Sequence, residues 1–340
     1  MMQVVNETPF VPGQAILYDK TAAEHLIVAL KATFEISDQG ELAVAEKQEP
    51  LRLAEEFVDE PGTSSIVHEA ELCPPKPSTD VLLRGHAMAH KKGTTSMPVR
   101  FRVGKVGRQA VVFGPRVWIK KLGFGGISGP EPFESVPLIW ENAFGGTDQS
   151  AEDPKRHDWE PLNPVGTGFR AKHSVLPWVD QPLPSIEDPG ALFKKHDQRV
   201  EPVGFGPIGR NWEPRAGYAG TYDDAWMQER MPLLPDDFDD RFHNSAPPAL
   251  VAPGYLEGGL PVEVAGCTRA ERLAFRLPEI GASVEVLVRD RKESVDFNCE
   301  TVTVDTDTMQ LRLLWKGWLR VHRESMQVQK VEFRVEGELP

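Results

Sequence analysis

At 340 residues, 40% hydrophobic and 26% charged, the chain has a globular composition and can bury one large core or two ordinary ones. A formal net charge of -13 argues against sequence-independent binding to nucleic acid or an anionic membrane, and suits a basic protein partner. Cys73, Cys267 and Cys299 lie far apart with no metal-ligand spacing, a usage that fits a reducing compartment.

The start, MMQVVNETPF, has neither a basic n-region nor an apolar h-region, and no window approaches about 18 consecutive apolar residues. A soluble cytoplasmic protein with no membrane span is therefore expected. Residues 26–36 (LIVALKATFEI) read as a strand that stops at the turn cluster Ser37-Asp38-Gln39-Gly40, with 42–45 as the returning strand. Further strands are predicted at 80–87 (DVLLRGHA) and 99–103 (VRFRV). Residues 104–107 read as a hairpin loop and 109–113 as its return arm, with Val117, Trp118 and Ile119 extending the sheet.

The middle, 121–261, holds 19 of the 30 prolines, 17 of the 29 glycines and five of the eight tryptophans: Trp140, Trp159, Trp178, Trp212 and Trp226. Flexible linkers are poor in tryptophan, because an aromatic ring needs something to pack on. This stretch is expected to be ordered, irregular and pinned by its tryptophans. Its best helix is 221–230, with Thr221 as N-cap, Asp224 mimicking a capping box, and Pro232 and Pro235 beyond the end. Residues 191–198 are a weaker helical turn.

Alternation returns at 283–289, then at 301–304, 311–315 and 328–335. The expected fold is mainly β: antiparallel sheets, sandwich-like or barrel-like, with a long ordered Pro/Gly/Trp-rich loop region and few short helices. The layout divides into β-rich parts at 1–120 and 262–340, joined by 121–261, as separate domains or one continuous unit.

No constellation completes a catalytic, metal or cofactor signature. Gly204-Phe205-Gly206-Pro207-Ile208-Gly209 matches G-x-G-x-x-G as a string, but Pro207 removes an amide that would face phosphate and Pro214 spoils a helix start. Asp236, Asp237, Asp239 and Asp240 crowd five positions, yet an EF-hand would need Gly where Arg241 stands and Glu where Pro247 stands. The preferred reading is structural: these aspartates cap turns and pair with Arg241 and Arg230, and Asp80 pairs with Lys76 in the turn Lys76-Pro77-Ser78-Thr79-Asp80. Arg210 and Arg215 lie among Trp212, Tyr222 and Trp226, the composition of a protein-binding hot spot and equally of an internal Arg–Trp stack. The rival class is a hydrolase, carbohydrate-active for example, using Asp236, Asp237 or Asp239 with Glu141.

Several fixed phrases carry a resemblance along most of the chain. They include Asn6-Glu7-Thr8-Pro9-Phe10, Lys31-Ala32-Thr33-Phe34, Ser64-Ser65-Ile66 with Glu69, and Pro75-Lys76-Pro77-Ser78-Thr79-Asp80-Val81. Gly114-Pro115-Arg116-Val117-Trp118, Ala143-Phe144-Gly145-Gly146-Thr147 and Asn163-Pro164-Val165-Gly166 follow. Trp212 with Pro214-Arg215, Gly220-Thr221-Tyr222-Asp223 with Trp226, and Leu234-Pro235-Asp236 with Arg241-Phe242 complete the run. In this order the set resembles the bacterial family called domain of unknown function 2169, whose members sit with type VI secretion effectors. His90 and Trp140 depart from its pattern, and the region after about residue 280 matches only loosely. The resemblance implies a non-enzymatic adaptor or chaperone that binds an effector and helps load it onto the spike of VgrG and PAAR proteins. It supplies no catalytic residue and no cofactor.

Overall fold

The strand Glu24–Ile36 organises the architecture. It pairs antiparallel with Val11–Tyr18 on one side and with Gln310–Arg320 on the other, so Lys31 faces both Val11 and Leu314. Asn298–Asp305 runs antiparallel beside Gln310–Arg320, Asp80–Arg84 lies parallel beside Asn298–Asp305, and Leu42–Val44 folds back on Glu24–Ile36. These make a six-stranded sheet. The structure is a computed structural model and describes residues 2–121, 124–321 and 325–340.

A five-stranded sheet runs in the order Ile186–Glu187, Val106–Phe113, Ser96–Val103, Pro261–Ala265, Arg272–Arg276. Its central hairpin turns through Gly104 and Lys105, where Gly104 takes the left-handed φ of 57° that the tight turn requires. A four-stranded sheet sets Gln3–Asn6 parallel to Val328–Glu336, followed by Gly281–Val288 and Arg291–Ser294. Strands from 1–120 and 262–340 thus share each of these three larger sheets, and one hydrophobic cluster runs through them from Phe10 to Phe333. Strand makes up 39% of the structure and helix 8%, which places the chain in the mainly β class. Most pairings are antiparallel; the parallel ones join Gln3–Asn6 to Val328–Glu336, Asp80–Arg84 to Asn298–Asp305, and Phe144–Gly145 to Thr167–Gly168.

Side chains alternate across a strand, and the six-stranded sheet uses both faces. Leu30, Ala32 and Phe34, Leu311, Leu313 and Trp315, Val302 and Val304, and Val81 and Leu83 share the apolar face. The other face carries Lys31, Thr33, Arg312, Lys316, Asp305 and Asp80, and all six are buried. Antiparallel sheets commonly leave such a face in water. Here it is roofed by residues 48–52 and 69–76 and by part of the middle segment.

The described part of the middle is mostly irregular backbone joined by hydrogen bonds. Trp140 and Trp212 are buried edge to face, with ring centroids 5.8 Å apart, and Trp178 packs in a second small cluster with Trp118, Phe144, Leu183 and Phe193. Trp159 is 51% exposed.

Four local expectations need correction. Val117, Trp118 and Ile119 do not extend the five-stranded sheet; Trp118–Lys121 pairs with Phe124–Ile127 in a two-stranded sheet of its own. The strand expected at 80–87 breaks at Gly85 into Asp80–Arg84 and His86–Met88; Gly85 has φ 142°, and a Cβ there would lie 2.0 Å from Thr306 Oγ1. The helix is Asp224–Glu229, capped by Asp223, whose carboxylate accepts from Trp226 N. Thr221 does not cap it, because its amide and hydroxyl both donate to Asp237. Residues 191–198 form isolated turns, with Ala191 N donating to Asp188 O and Gln198 N to Lys195 O.

Candidate functional site

Between the buried charged face and its roof lies a partly open cavity of about 210 Å³. Its walls are largely apolar: Val58, Ile66, Leu82, Leu138, Trp140 and Leu314. Lys76, Glu69, Glu300 and Lys316 also line it. A β-bulge helps to place one of them. Cys299 pairs with Trp315 and Thr301 with Leu314, which leaves Glu300 as the extra residue. Its carboxylate meets Lys316 Nζ at 2.6 Å and accepts from Lys76 N at 2.8 Å.

Lys76 Nζ sits 2.6 Å from Asp80 Oδ2 and 2.9 Å from Glu69 Oε2. Asp80 also accepts from Asn244 Nδ2 at 2.8 Å and from Ser245 N at 2.8 Å. Arg215 reaches Glu69 Oε1 at 3.0 Å and donates to Ile208 O and Phe242 O. Alongside, Lys31 pairs with Glu71 at 2.8 Å, and Arg312 pairs with Glu49 at 2.6 Å and Asp305 at 3.2 Å.

Proton affinities follow from these partners. Burial alone would raise the carboxyl pKa of Glu69, but Lys76 and Arg215 override it and hold it at about 2. Burial alone would lower Lys76 and Lys316; Asp80 and Glu69 raise the first, and Glu300 raises the second. At Lys31 burial wins over Glu71, and the pKa falls. His68, buried beside Arg52 and Arg84, is driven down to about 3. Glu69 therefore stays ionised at neutral pH while the His68 imidazole stays neutral. Glu69 is held far from the proton-retaining state that a carboxyl general acid needs.

The residues singled out from sequence fall in two places. Lys76 and Asp80 belong to this buried network. Asp236, Asp237, Asp239 and Arg241 lie at the surface: Asp236 pairs with Arg230 at 3.1 Å, Asp239 with Arg241 at 2.6 Å, and Asp237 accepts from Thr221. Glu141 is engaged elsewhere, accepting from Ser65 N and Oγ at 2.7 and 2.8 Å.

Of the aromatic–arginine set, Trp212 and Arg215 are each 4% exposed, which removes them from any contact surface. Arg215 is drawn inside by Glu69, and Trp212 by Trp140. Arg210 is exposed and tethered to Glu55 at 2.8 Å. Tyr222 is exposed, and Trp226 is half-buried against it with ring centroids 4.7 Å apart. Sequence reasoning missed Glu300, Lys316, Arg312 and Lys31 as site residues. The available signal was charge interrupting otherwise apolar strands, Lys31 in LIVALKATFEI and Arg312 and Lys316 in QLRLLWKGWLR. Among the described residues no group of three or more His, Cys, Asp or Glu side chains is placed to hold a metal ion, and no helix is long and apolar enough to cross a membrane.

The chain belongs to the family described as uncharacterized proteins conserved in bacteria (DUF2169), which it matches over residues 21–316. That stretch contains the whole network from Lys31 to Lys316. No curated protein and no solved structure matches the chain.

Proposed function

We propose that the protein is a non-catalytic cytoplasmic adaptor or chaperone that binds a type VI secretion effector and helps load it onto the VgrG and PAAR spike. The observation that carries the binding role is the surface around the helix Asp224–Glu229. Tyr222, Met227 and Met231 stand 52%, 60% and 62% exposed there. Their backbone is held from several sides: Asp223 caps the helix, Trp226 Nε1 donates to Leu233 O, and Arg230 donates to Lys20 O and Leu234 O. Exposed tyrosine and methionine on a fixed backbone suit protein recognition, because little ordering remains to be done on binding. The contact surface in this reading is Arg210, Tyr222 and Trp226, extended by Met227 and Met231.

The effector and spike as partners rest on the resemblance of the fixed phrases to secretion-associated proteins. Engagement of Asp236 and Asp239 with arginines, of Asp237 with Thr221 and of Glu141 with Ser65 supports the non-catalytic reading over a hydrolase. The test is co-purification from cells that express the neighbouring genes, with effector abundance and export measured in cells lacking the protein. Normal effector stability and export in those cells would refute the role.

A further inference from the structure

We propose that the cavity over the charged face of the six-stranded sheet binds a small neutral molecule with an apolar body and a hydrogen-bonding carbonyl or amide at one end. Its residues are separate from the contact surface around Tyr222, so either reading can fail alone.

Size sets the first limit. Pockets for drug-sized ligands occupy roughly 300–1,000 Å³. At about 210 Å³ this cavity suits a group nearer the size of a single amino-acid side chain. Wall chemistry sets the second, because Ile66, Leu82, Leu138, Trp140 and Leu314 offer apolar surface to a ligand body.

Charge sets the third. Each charged group at the polar end already meets an opposite charge: Lys316 with Glu300, Lys76 with Asp80 and Glu69, and Glu69 with Arg215. A charged ligand would leave water to enter a site whose counter-charges are committed, an unfavourable exchange. A neutral acceptor escapes that cost. Lys316 Nζ offers it a place: one contact goes to Glu300 and another to Cys73 Sγ at 3.3 Å, and a thiol is a weak acceptor that a carbonyl oxygen can outdo.

The walls are also fixed beforehand. Trp140 Nε1 donates to Pro207 O at 2.9 Å, and a Cβ on Gly204 would lie 2.5 Å from the Trp140 ring, so the indole is clamped in place. A preformed site loses less ordering entropy on binding.

The test uses the full chain and three probes with one branched carbon skeleton: isocaproamide, isocaproate and isohexylamine. Methyl NMR titration should show isocaproamide shifting Ile66, Leu82, Leu138 and Leu314, with a Kd at least about tenfold below either charged analogue. Equal or tighter binding of isocaproate or isohexylamine, shifts centred elsewhere, or no shift with any probe would overturn the proposal. Val58 lines the cavity and is 41% exposed, so Val58→Trp can plug it without disturbing the core. That variant should keep its melting temperature and lose isocaproamide binding by about tenfold or more. Unchanged binding in the folded variant would also overturn it.

Discussion

The ammonium of Lys76 lies 2.6 Å from a carboxylate oxygen of Asp80, and the two side chains are 4% and 0% exposed. Asp80 joins this pair to Asn244 and Ser245, so one carboxylate ties the turn before the edge strand to the far end of the middle segment. Burying such a pair gives little net stability, but removing one partner strands the other without water. Asp80→Ala is therefore expected to cost about 3–5 kcal/mol in denaturant unfolding. The surface change Asp239→Asn should stay within about 0.5 kcal/mol, since Asn caps a turn as well as Asp and the pair with Arg241 is open to solvent. Similar costs for the two changes would contradict this division of roles.

Acid should destabilise the protein well above the usual carboxylate range. Burial, then Arg52 and Arg84, holds His68 at about 3; burial, then Lys316 and Arg215, holds His243 at about 4. Both lie below the ordinary 6.5. Below that value the unfolded chain takes up protons that the folded chain refuses, so stability falls as pH drops from about 6.5 toward 4. The slope is at most about 1.4 kcal/mol per pH unit for each histidine. Glu69 adds a loss of the same sign lower down, with its contribution present above 4.5 and lost as pH falls toward about 2. Melting temperatures should decline between about pH 7 and 5, and His68→Gln with His243→Gln should flatten that decline. A wild-type profile already flat over this range would refute the assignment.

Thiol reactivity should separate the cysteines. Burial pushes Cys267 and Cys299 up to about 12, so neither supplies thiolate at neutral pH. Cys73 is half-buried, with Lys316 Nζ 3.3 Å from its sulfur. Ellman's reagent should modify Cys73 first in the native protein, and all three only after denaturation. Fast native modification that persists in Cys73→Ser would contradict this order.

Strand content was legible because LIVALKATFEI and the later alternating runs carry a period that little but β-structure satisfies. Burial of the second face was not. Lys31 is 1% exposed inside that first strand, and its counter-charges Glu49 and Glu71 come from the roof rather than from neighbouring positions. Composition likewise identified the Arg/Trp/Tyr segment without sorting its inside from its outside. Trp212 is buried because Trp140 waits for it across the fold, whereas Trp226 stays half-buried, with Tyr222 edge to face beside it and Leu233 O accepting from its Nε1. The cap of the helix was misread for a similar reason, since Thr221 is taken by Asp237. The Lys76–Asp80 pair, both ends of which lie in one turn, was readable in advance.

That sorting gives the contact surface a sharper test than composition allows. If the protein is an adaptor whose surface centres on the helix Asp224–Glu229, the energy should come from the exposed side chains Tyr222, Met227 and Met231. Tyr222→Ala and Met227→Ala should each weaken effector binding by about 1–2 kcal/mol, read by titration calorimetry with the co-purified effector, while melting temperature stays within a degree or two. Arg210→Ala, at a tethered rim position, should change binding less. Trp212→Ala serves as the contrast: it removes a buried ring, so any loss of binding should come with about 3–5 kcal/mol of lost stability. Full binding and export in folded Tyr222→Ala and Met227→Ala variants would move the contact elsewhere on the protein. A loss in those variants that tracks their unfolding would show the helix to be scaffold rather than surface.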